Sequence, residues 1–191
     1  LEWVEAFLGG ERAYIGGSTW EPDEELIAAY VQQNPEQKWI VAPHEVNEAS
    51  ISRLQRLFGG NLLKYSDLVA GREINGHRIL LIDCYGLLTS IYQYGSLAVI
   101  GGGFGVGIHN TLEAATFGMP IVFGPNYSKF KEANDLVALQ AAFSITDEDT
   151  FLEVMNTLDS DVKMREKAGN RASSYVQQNR GAKDRILKHI F

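Results

Sequence analysis

The order of apolar segments along the chain constrains its fold more than any other feature of the sequence. Short apolar runs alternate with longer segments in which apolar residues recur at helical spacing. Repeated strand-then-helix order predicts an α/β fold, a Rossmann-like parallel sheet with helices on both faces. The predicted strands are 13–16, 38–42, 62–65, 78–83, 96–100, 120–124 and 142–146. The predicted helices are 21–33, 48–58, 87–94, 110–117, 130–139, 149–158 and a last one from 161 to the C-terminus.

Composition narrows the class of protein. A chain of 191 residues can bury one good core. A formal net charge of −7 disfavours nucleic acid and anionic lipid surfaces, so we expect no nucleic-acid partner. The single cysteine excludes an internal disulfide and favours a reducing compartment. No apolar run reaches the roughly 18–20 residues of a membrane span. Because the chain begins at Leu1 rather than methionine, we expect an excised domain, with any membrane anchor upstream.

A glycine-rich segment, 101–107, joins a predicted strand to a predicted helix. In parallel sheets, ligands bind at the carboxyl ends of the strands, so this loop is a candidate site. Gly103, Gly105 and Gly107 allow the backbone to approach a ligand, and the helix beginning near Asn110 offers unpaired amides to a phosphate. The alternative is a tight connection with an asparagine cap. Five glycines within seven residues favour the ligand site, because each raises the entropy cost of folding.

Several polar side chains near strand ends are further candidates. We expect Glu113, one turn into the helix, to accept hydrogen bonds from both hydroxyls of a ribose, unless it only complements the helix dipole. His109 contacts the phosphate or the sugar, or it orders the loop. Ser18 and Thr19 contact the ligand or cap the next helix. Lys129 steers an anionic donor, or it lies on a solvated helix face.

Three segments of this region resemble one family of enzymes. They are Gly-Ile-His-Asn-Thr-Leu-Glu at 107–113, Phe-Gly-Met-Pro-Ile-Val-Phe-Gly-Pro-Asn at 117–126 and Phe-Lys-Glu-Ala at 130–133. Together they resemble the bacterial 3-deoxy-D-manno-octulosonic acid (Kdo) transferases. Shorter pieces at 16–19, 42–44 and 82–87 extend the resemblance over nearly the whole chain. All of these pieces match the C-terminal half of the family.

The resemblance implies a GT-B glycosyltransferase, in which two Rossmann-like domains hold the donor in the cleft between them. Residues 1–191 would form the donor-binding domain, and the N-terminal acceptor-binding domain would be absent from this chain. The implied donor is CMP-Kdo, the acceptor is the lipid A precursor of lipopolysaccharide, and transfer is inverting, without metal or cofactor. The family's general base is a glutamate of the N-terminal domain, so we expect no catalytic residue here and an inactive fragment. The full-length enzyme is expected at the cytoplasmic face of the inner membrane, which it would contact through its N-terminal half, whereas the fragment itself would be soluble.

The family's CMP-contacting positions can be carried over where the motifs match, and they fall in the loops after three predicted strands. The family commonly has an arginine where His44 stands. Two alternatives stay open: another GT-B enzyme, namely a UDP-sugar transferase or UDP-sugar epimerase, and a non-catalytic nucleotide-binding module. The implied donor-binding residues are Pro43, His44, Tyr85, Gly86, Leu87, Asn110, Thr111, Leu112 and Glu113.

Overall fold

The centre of the molecule is a parallel β-sheet, seen in a computed structural model that describes residues 1–180. Seven strands pair in the order β3-β4-β2-β1-β5-β6-β7, and every pairing is parallel. All seven predicted strands are present, and the predicted α/β fold is confirmed. The strands are β1 Ala13–Thr19, β2 Trp39–Pro43, β3 Leu62–Lys64, β4 Ile79–Leu81, β5 Gly95–Ile100, β6 Ile121–Phe123 and β7 Ala142–Ser144.

Helices connect the strands, and none within residues 1–180 is long and apolar enough to cross a bilayer. Several helices have a side-chain cap at their N-terminus. In α3 (Glu48–Phe58), for example, Oδ1 of Asn47 accepts a hydrogen bond from the backbone N–H of Ser50 at 2.9 Å. The part of the last predicted helix beyond residue 180 lies outside the described residues. The helices are α1 Glu2–Leu8, α2 Glu21–Gln33, α3 Glu48–Phe58, α4 Tyr65–Val69, α5 Leu88–Ile91, α6 Thr111–Thr116, α7 Lys131–Ala138, α8 Glu148–Ser160 and α9 Val162–Asn179.

Two hydrophobic layers sandwich the sheet. Because side chains alternate along a strand, Ile40 of β2 faces one layer and Trp39 faces the other. Helices α1, α5, α6, α7 and α9 contribute to the first layer, and α2, α3 and α8 contribute to the second. Burial on both faces explains why the strands read as continuous apolar runs.

The strand order places the candidate loops together. From β1 the sheet grows in one direction through β2 and β4 and in the other through β5, so its order reverses between β1 and β5. Gly17 of β1 pairs with Ile100 of β5, and Thr19 pairs with Pro43 of β2. The loops that follow these strands therefore leave the sheet side by side, at the position where open α/β sheets bind ligands.

Candidate functional site

The glycine-rich connection between β5 and α6 folds back on itself. The backbone N–H groups of Gly105 and Gly107 both donate to the Gly102 oxygen, at 3.0 and 3.3 Å. The Gly102 N–H in turn donates to Oδ2 of Asp23 in α2, at 3.1 Å. The same oxygen accepts from the backbone N–H of Trp20 at 2.9 Å. Asp23 is only 2% exposed, and burial raises the pKa of its carboxyl group. The loop is thus fixed to the first turn of α2 by a buried acceptor.

The glycines of this loop have different roles. A β-carbon on Gly103 would lie 2.5 Å from the backbone nitrogen of Gly124, so these two backbones pack in direct contact. Gly107 has φ of 138°, and a β-carbon there would lie 2.8 Å from the Phe130 ring. Gly105 has neither constraint, since its nearest neighbour would be 3.7 Å away. Packing therefore accounts for glycine at 103 and 107, and Gly105 alone among these three is free of a packing demand.

The start of α6 carries the acidic candidate. Asn110 is the N-cap residue: its Oδ1 accepts from the backbone N–H of Leu112 at 3.0 Å, and its Nδ2 donates to Oε1 of Glu113 at 2.9 Å. The other carboxylate oxygen, Oε2, accepts from the Thr89 hydroxyl at 2.8 Å. Glu113 is half-buried, and each oxygen keeps a further lone pair. Its carboxylate is therefore held in a fixed orientation and can still accept hydrogen bonds.

Polar groups at the beginning of α6 also lack partners within residues 1–180. The backbone N–H groups of Asn110 and Thr111 donate to no protein acceptor in that range. The Thr111 side chain is 1% exposed, and its hydroxyl is likewise unpaired. Unpaired donors at the beginning of a helix are suited to the oxygens of an anion.

Three rings from three loops form a cluster, which we call the three-ring cluster: Trp20 after β1, His44 after β2 and His109 after β5. The His44 ring stacks on Trp20, with centroids 4.5 Å apart, and on His109, at 4.4 Å. The indole Nε1 of Trp20 donates to Nε2 of His109 at 3.1 Å. Burial, and then the neighbouring His44, lower the pKa of His109. The imidazole of His109 is therefore favoured in its neutral form.

The loop after β4 completes the arrangement. Tyr85 is 70% exposed, and its hydroxyl accepts from the backbone N–H of Val46 at 3.0 Å. Gly86 turns the chain with φ of 92°, and Leu87 then leads into α5, which carries Thr89. Residues 43–47, 85–89 and 109–113 are thus joined in a closed circuit, through Tyr85–Val46, His44–His109 and Thr89–Glu113. We call these three segments the rim. The rim brings together all nine implied donor-binding residues, and their binding of a ligand stays a prediction.

The remaining predicted residues lie around the rim. Ser18, the residue before the last in β1, has φ of 51°, a conformation that costs energy for a non-glycine residue. Thr19 is 1% exposed and its hydroxyl donates to Glu24 at 3.1 Å, so it faces the interior and does not cap α2. Lys129 is exposed in the segment after β6. That segment contacts the glycine-rich loop through Asn126, whose Nδ2 donates to the Gly105 oxygen at 2.8 Å.

Sequence reasoning missed three residues that hold the site together: Trp20, Asp23 and Thr89. A partial signal for Asp23 was present, because acidic residues are favoured in the first turn of a helix. Nothing in the sequence indicated that Trp20 meets His109. An apolar cavity of about 230 Å³ lies beside Trp20 and Asp23 and is also lined by Phe104 and Val106. Within residues 1–180, no group of three or more His, Cys, Asp or Glu side chains is placed to hold a metal ion.

Comparisons with known proteins bear on this arrangement. No protein-family model matches the chain. A 3-deoxy-D-manno-octulosonic acid transferase of Rickettsia bellii is 30% identical over 189 residues, which cover 96% of this chain and 45% of that protein. The transferase of Aquifex aeolicus is 26% identical over 149 residues, 75% of this chain and 40% of that protein. The chain therefore spans less than half the length of these curated relatives.

A solved structure shows the same fold. It is described as the C-terminal CMP-Kdo binding domain of WaaA from Acinetobacter baumannii, and it matches with a TM-score of 0.75 at 20% identity. The match covers 92% of this chain and 94% of that domain. Together, the sequence relatives and the shared fold confirm the resemblance found in the sequence: the chain is similar in sequence to 3-deoxy-D-manno-octulosonic acid transferases and in fold to the C-terminal domain of WaaA.

Proposed function

We propose that this chain is the donor-binding domain of a Kdo transferase and that the rim binds the CMP portion of CMP-Kdo. One observation carries the proposal. The three segments whose motifs match the family's CMP-contacting positions meet in a single closed circuit at the switch point of the sheet. The solved domain of similar fold is itself named for CMP-Kdo binding, which supports the same ligand.

Each part of the rim has a distinct role in this proposal. The unpaired backbone N–H groups of Asn110 and Thr111 hold the phosphate. The dipole of so short a helix adds only ~0.3–1 kcal/mol, so hydrogen bonds supply most of the affinity. Glu113 accepts from the ribose hydroxyls with the lone pairs that Asn110 and Thr89 leave open. The cytosine lies among Pro43, His44 and residues 85–87.

The same donors would assist the chemistry. When the bond between the sugar and CMP breaks, negative charge grows on the phosphate of the departing nucleotide. Fixed backbone N–H groups stabilise that charge without reorganising, which lowers the barrier. The proposal assigns the activation of the acceptor hydroxyl to a general base outside this chain, so the chain alone is expected to bind but not to transfer.

The whole protein's reaction belongs to the same proposal. It is the transfer of Kdo to the lipid A precursor in lipopolysaccharide biosynthesis, with inversion and without a metal, at the cytoplasmic face of the inner membrane. The names of the relatives support the transferred sugar. The acceptor, the stereochemistry and the membrane contact follow from the family resemblance.

A thermal-shift screen of the chain against CMP, UMP, UDP and ADP tests the ligand. A ligand present at 100 times its Kd stabilises by about 2.7 kcal/mol, which for a domain of this size raises Tm by roughly 5–10 °C. We expect CMP to give the largest shift. A larger shift with UDP would support a UDP-sugar transferase or epimerase instead. No shift with any nucleotide would contradict a donor site and a nucleotide-binding module alike.

A further inference from the structure

We propose that Trp20 is a positioning residue, which holds His109 in the tautomer protonated at Nδ1 and so presents a fixed hydrogen-bond donor to the phosphate of the bound nucleotide. The first half of this inference concerns the protein alone. The second half, the contact with phosphate, rests on the proposed donor site.

The tautomer follows from the hydrogen bond between the two rings. An indole N–H only donates, so the nitrogen that it faces, Nε2 of His109, must offer a lone pair. A neutral imidazole with a bare Nε2 carries its proton on Nδ1. Protonation of His109 would place a second N–H against the indole N–H and break the contact. The bond from Trp20 thus selects both the neutral state and one of its two tautomers.

The rest of the His109 environment fixes the ring in place. Its backbone N–H donates to the Gly101 oxygen at 3.1 Å, and the His44 ring stacks on it. The Cδ2 edge faces Gly102, where a β-carbon would lie 3.2 Å away. In residues 1–180, Nδ1 is the ring nitrogen that makes no hydrogen bond. Its proton is therefore the one polar group of this ring left for a ligand.

The position of His109 in the chain points to the ligand oxygen it would meet. It directly precedes Asn110 and Thr111, whose backbone N–H groups are unpaired within the described part of the chain. A donor at Nδ1 would add a side-chain contact to these two backbone donors. Because the imidazole is neutral, this donor does not depend on taking up a proton near pH 7.

The charged groups around His109 are compatible with a neutral ring. The neighbouring His44 lowers the pKa of His109, in the same direction as burial of the ring. The Asp23 carboxylate is occupied by the backbone N–H groups of Trp20 and Gly102. The carboxylate of Glu113 accepts from Asn110 and Thr89. Neither carboxylate has a described hydrogen bond to His109, so neither stabilises an imidazolium through a direct contact.

Trp20→Phe tests the proposal, because it keeps an aromatic ring for His44 to stack on and removes only the indole N–H. Trp3→Phe is the matched control, since Trp3 packs on Tyr65 and lies outside the three-ring cluster. The ¹⁵N signals of the imidazole rings report the tautomer and the pKa of His109. Binding of CMP and of cytidine, which lacks the phosphate, is measured by NMR titration.

In the wild-type chain we expect His109 to be neutral at pH 7 with the proton on Nδ1. In Trp20→Phe we expect a mixture of tautomers, a higher pKa for His109 and an affinity for CMP reduced about tenfold. We expect cytidine binding to be unchanged, and Trp3→Phe to behave like the wild-type chain.

A wild-type proton on Nε2 would overturn the proposal even if the variant did not fold. An altered tautomer with unchanged CMP affinity, or equal losses for CMP and cytidine, would overturn the contact with phosphate. If wild-type protein does not bind CMP, the donor site fails, and the imidazole signals alone decide the role of Trp20.

Discussion

The glycine-rich loop and the rim that borders it are built in opposite ways. The loop is fixed by packing, since Gly103 touches the backbone of Gly124 and the Gly102 N–H is bound by buried Asp23. The rim is held by side-chain contacts near the surface, such as those of Glu113 with Thr89 and Asn110. The residues that look most like a ligand loop in the sequence thus serve mainly as a scaffold. Substitutions in the loop should therefore affect stability, and substitutions in the rim should affect binding.

The first and largest expected effect is on the scaffold. Gly103→Ala places a β-carbon 2.5 Å from a backbone atom, which no side-chain rotation can relieve. We expect a loss of about 3 kcal/mol in the free energy of unfolding, at the top of the usual range for overpacking. For a domain of this size, that loss lowers Tm by roughly 6–12 °C. Thermal unfolding followed by circular dichroism measures it.

Gly105→Ala is the control for that substitution. Gly105 is exposed, its φ is not positive and its β-carbon would meet nothing closer than 3.7 Å. The Tm of the Gly105→Ala variant should be unchanged or slightly higher, because alanine restricts the conformations of the unfolded chain. If both variants lost the same stability, the distinction between the two glycines would be wrong. A weaker affinity of Gly105→Ala for CMP would instead indicate close approach of the ligand at that point.

The second effect concerns binding alone. Glu113→Ala removes the carboxylate proposed to accept from the ribose hydroxyls, and hydrogen bonds to a charged group contribute about 1.5–3 kcal/mol. We expect the Kd for CMP to rise roughly 10- to 150-fold by calorimetry. Glu132→Ala is the matched control, because Glu132 is also an acid in the first turn of a helix, the neighbouring α7. This variant should bind CMP normally. Equal affinities in the two variants would remove Glu113 from the site.

The sequence predicted the fold well because local and tertiary preferences agree. Helices at 21–33 and 48–58 have the predicted bounds, since Pro22 and Asn47 mark their starts and apolar residues recur at helical spacing. Helix α1 was not predicted. It is short, and its end depends on Lys38, which donates to the Phe7 oxygen at 3.0 Å from 31 residues away. A helix held by such a distant contact leaves no local signal.

The sequence predicted which segments form the candidate site, but not which of their residues are in contact. Motifs located all three segments of the rim, and the parallel topology implied that they would meet. The contacts between residues could not be predicted, because strand order and register alone bring His44, Trp20 and His109 together. The ring of His44 packs between the loops after β1 and β5.

A third, smaller effect is expected where the two regions join, at Asn110. Asn110→Ala removes the cap of α6 and the donor to Glu113, and loss of such a cap costs about 1 kcal/mol of stability. Asn110→Asp keeps the cap but places a second carboxylate beside Glu113. We therefore expect near-normal stability and weaker CMP binding in Asn110→Asp, by thermal unfolding and calorimetry respectively. Normal CMP binding in that variant would show that Asn110 acts only as a cap.

The smallest effect is the pH dependence that His109 gives to stability. Burial lowers its pKa in the folded protein below the ordinary value of 6.5, so the unfolded chain binds the proton more tightly. The stability that the neutral ring contributes is present above pH 6.5 and is lost as pH falls towards the folded-state pKa. Between pH 7.5 and 5.5, wild-type protein should therefore lose up to about 1 kcal/mol more than His109→Gln, measured by urea unfolding at each pH. Glutamine is the control because it does not titrate and can still accept a hydrogen bond from Trp20. Identical pH profiles of the two proteins would contradict the prediction, since they would mean that His109 takes up a proton as readily in the folded protein as in the unfolded chain.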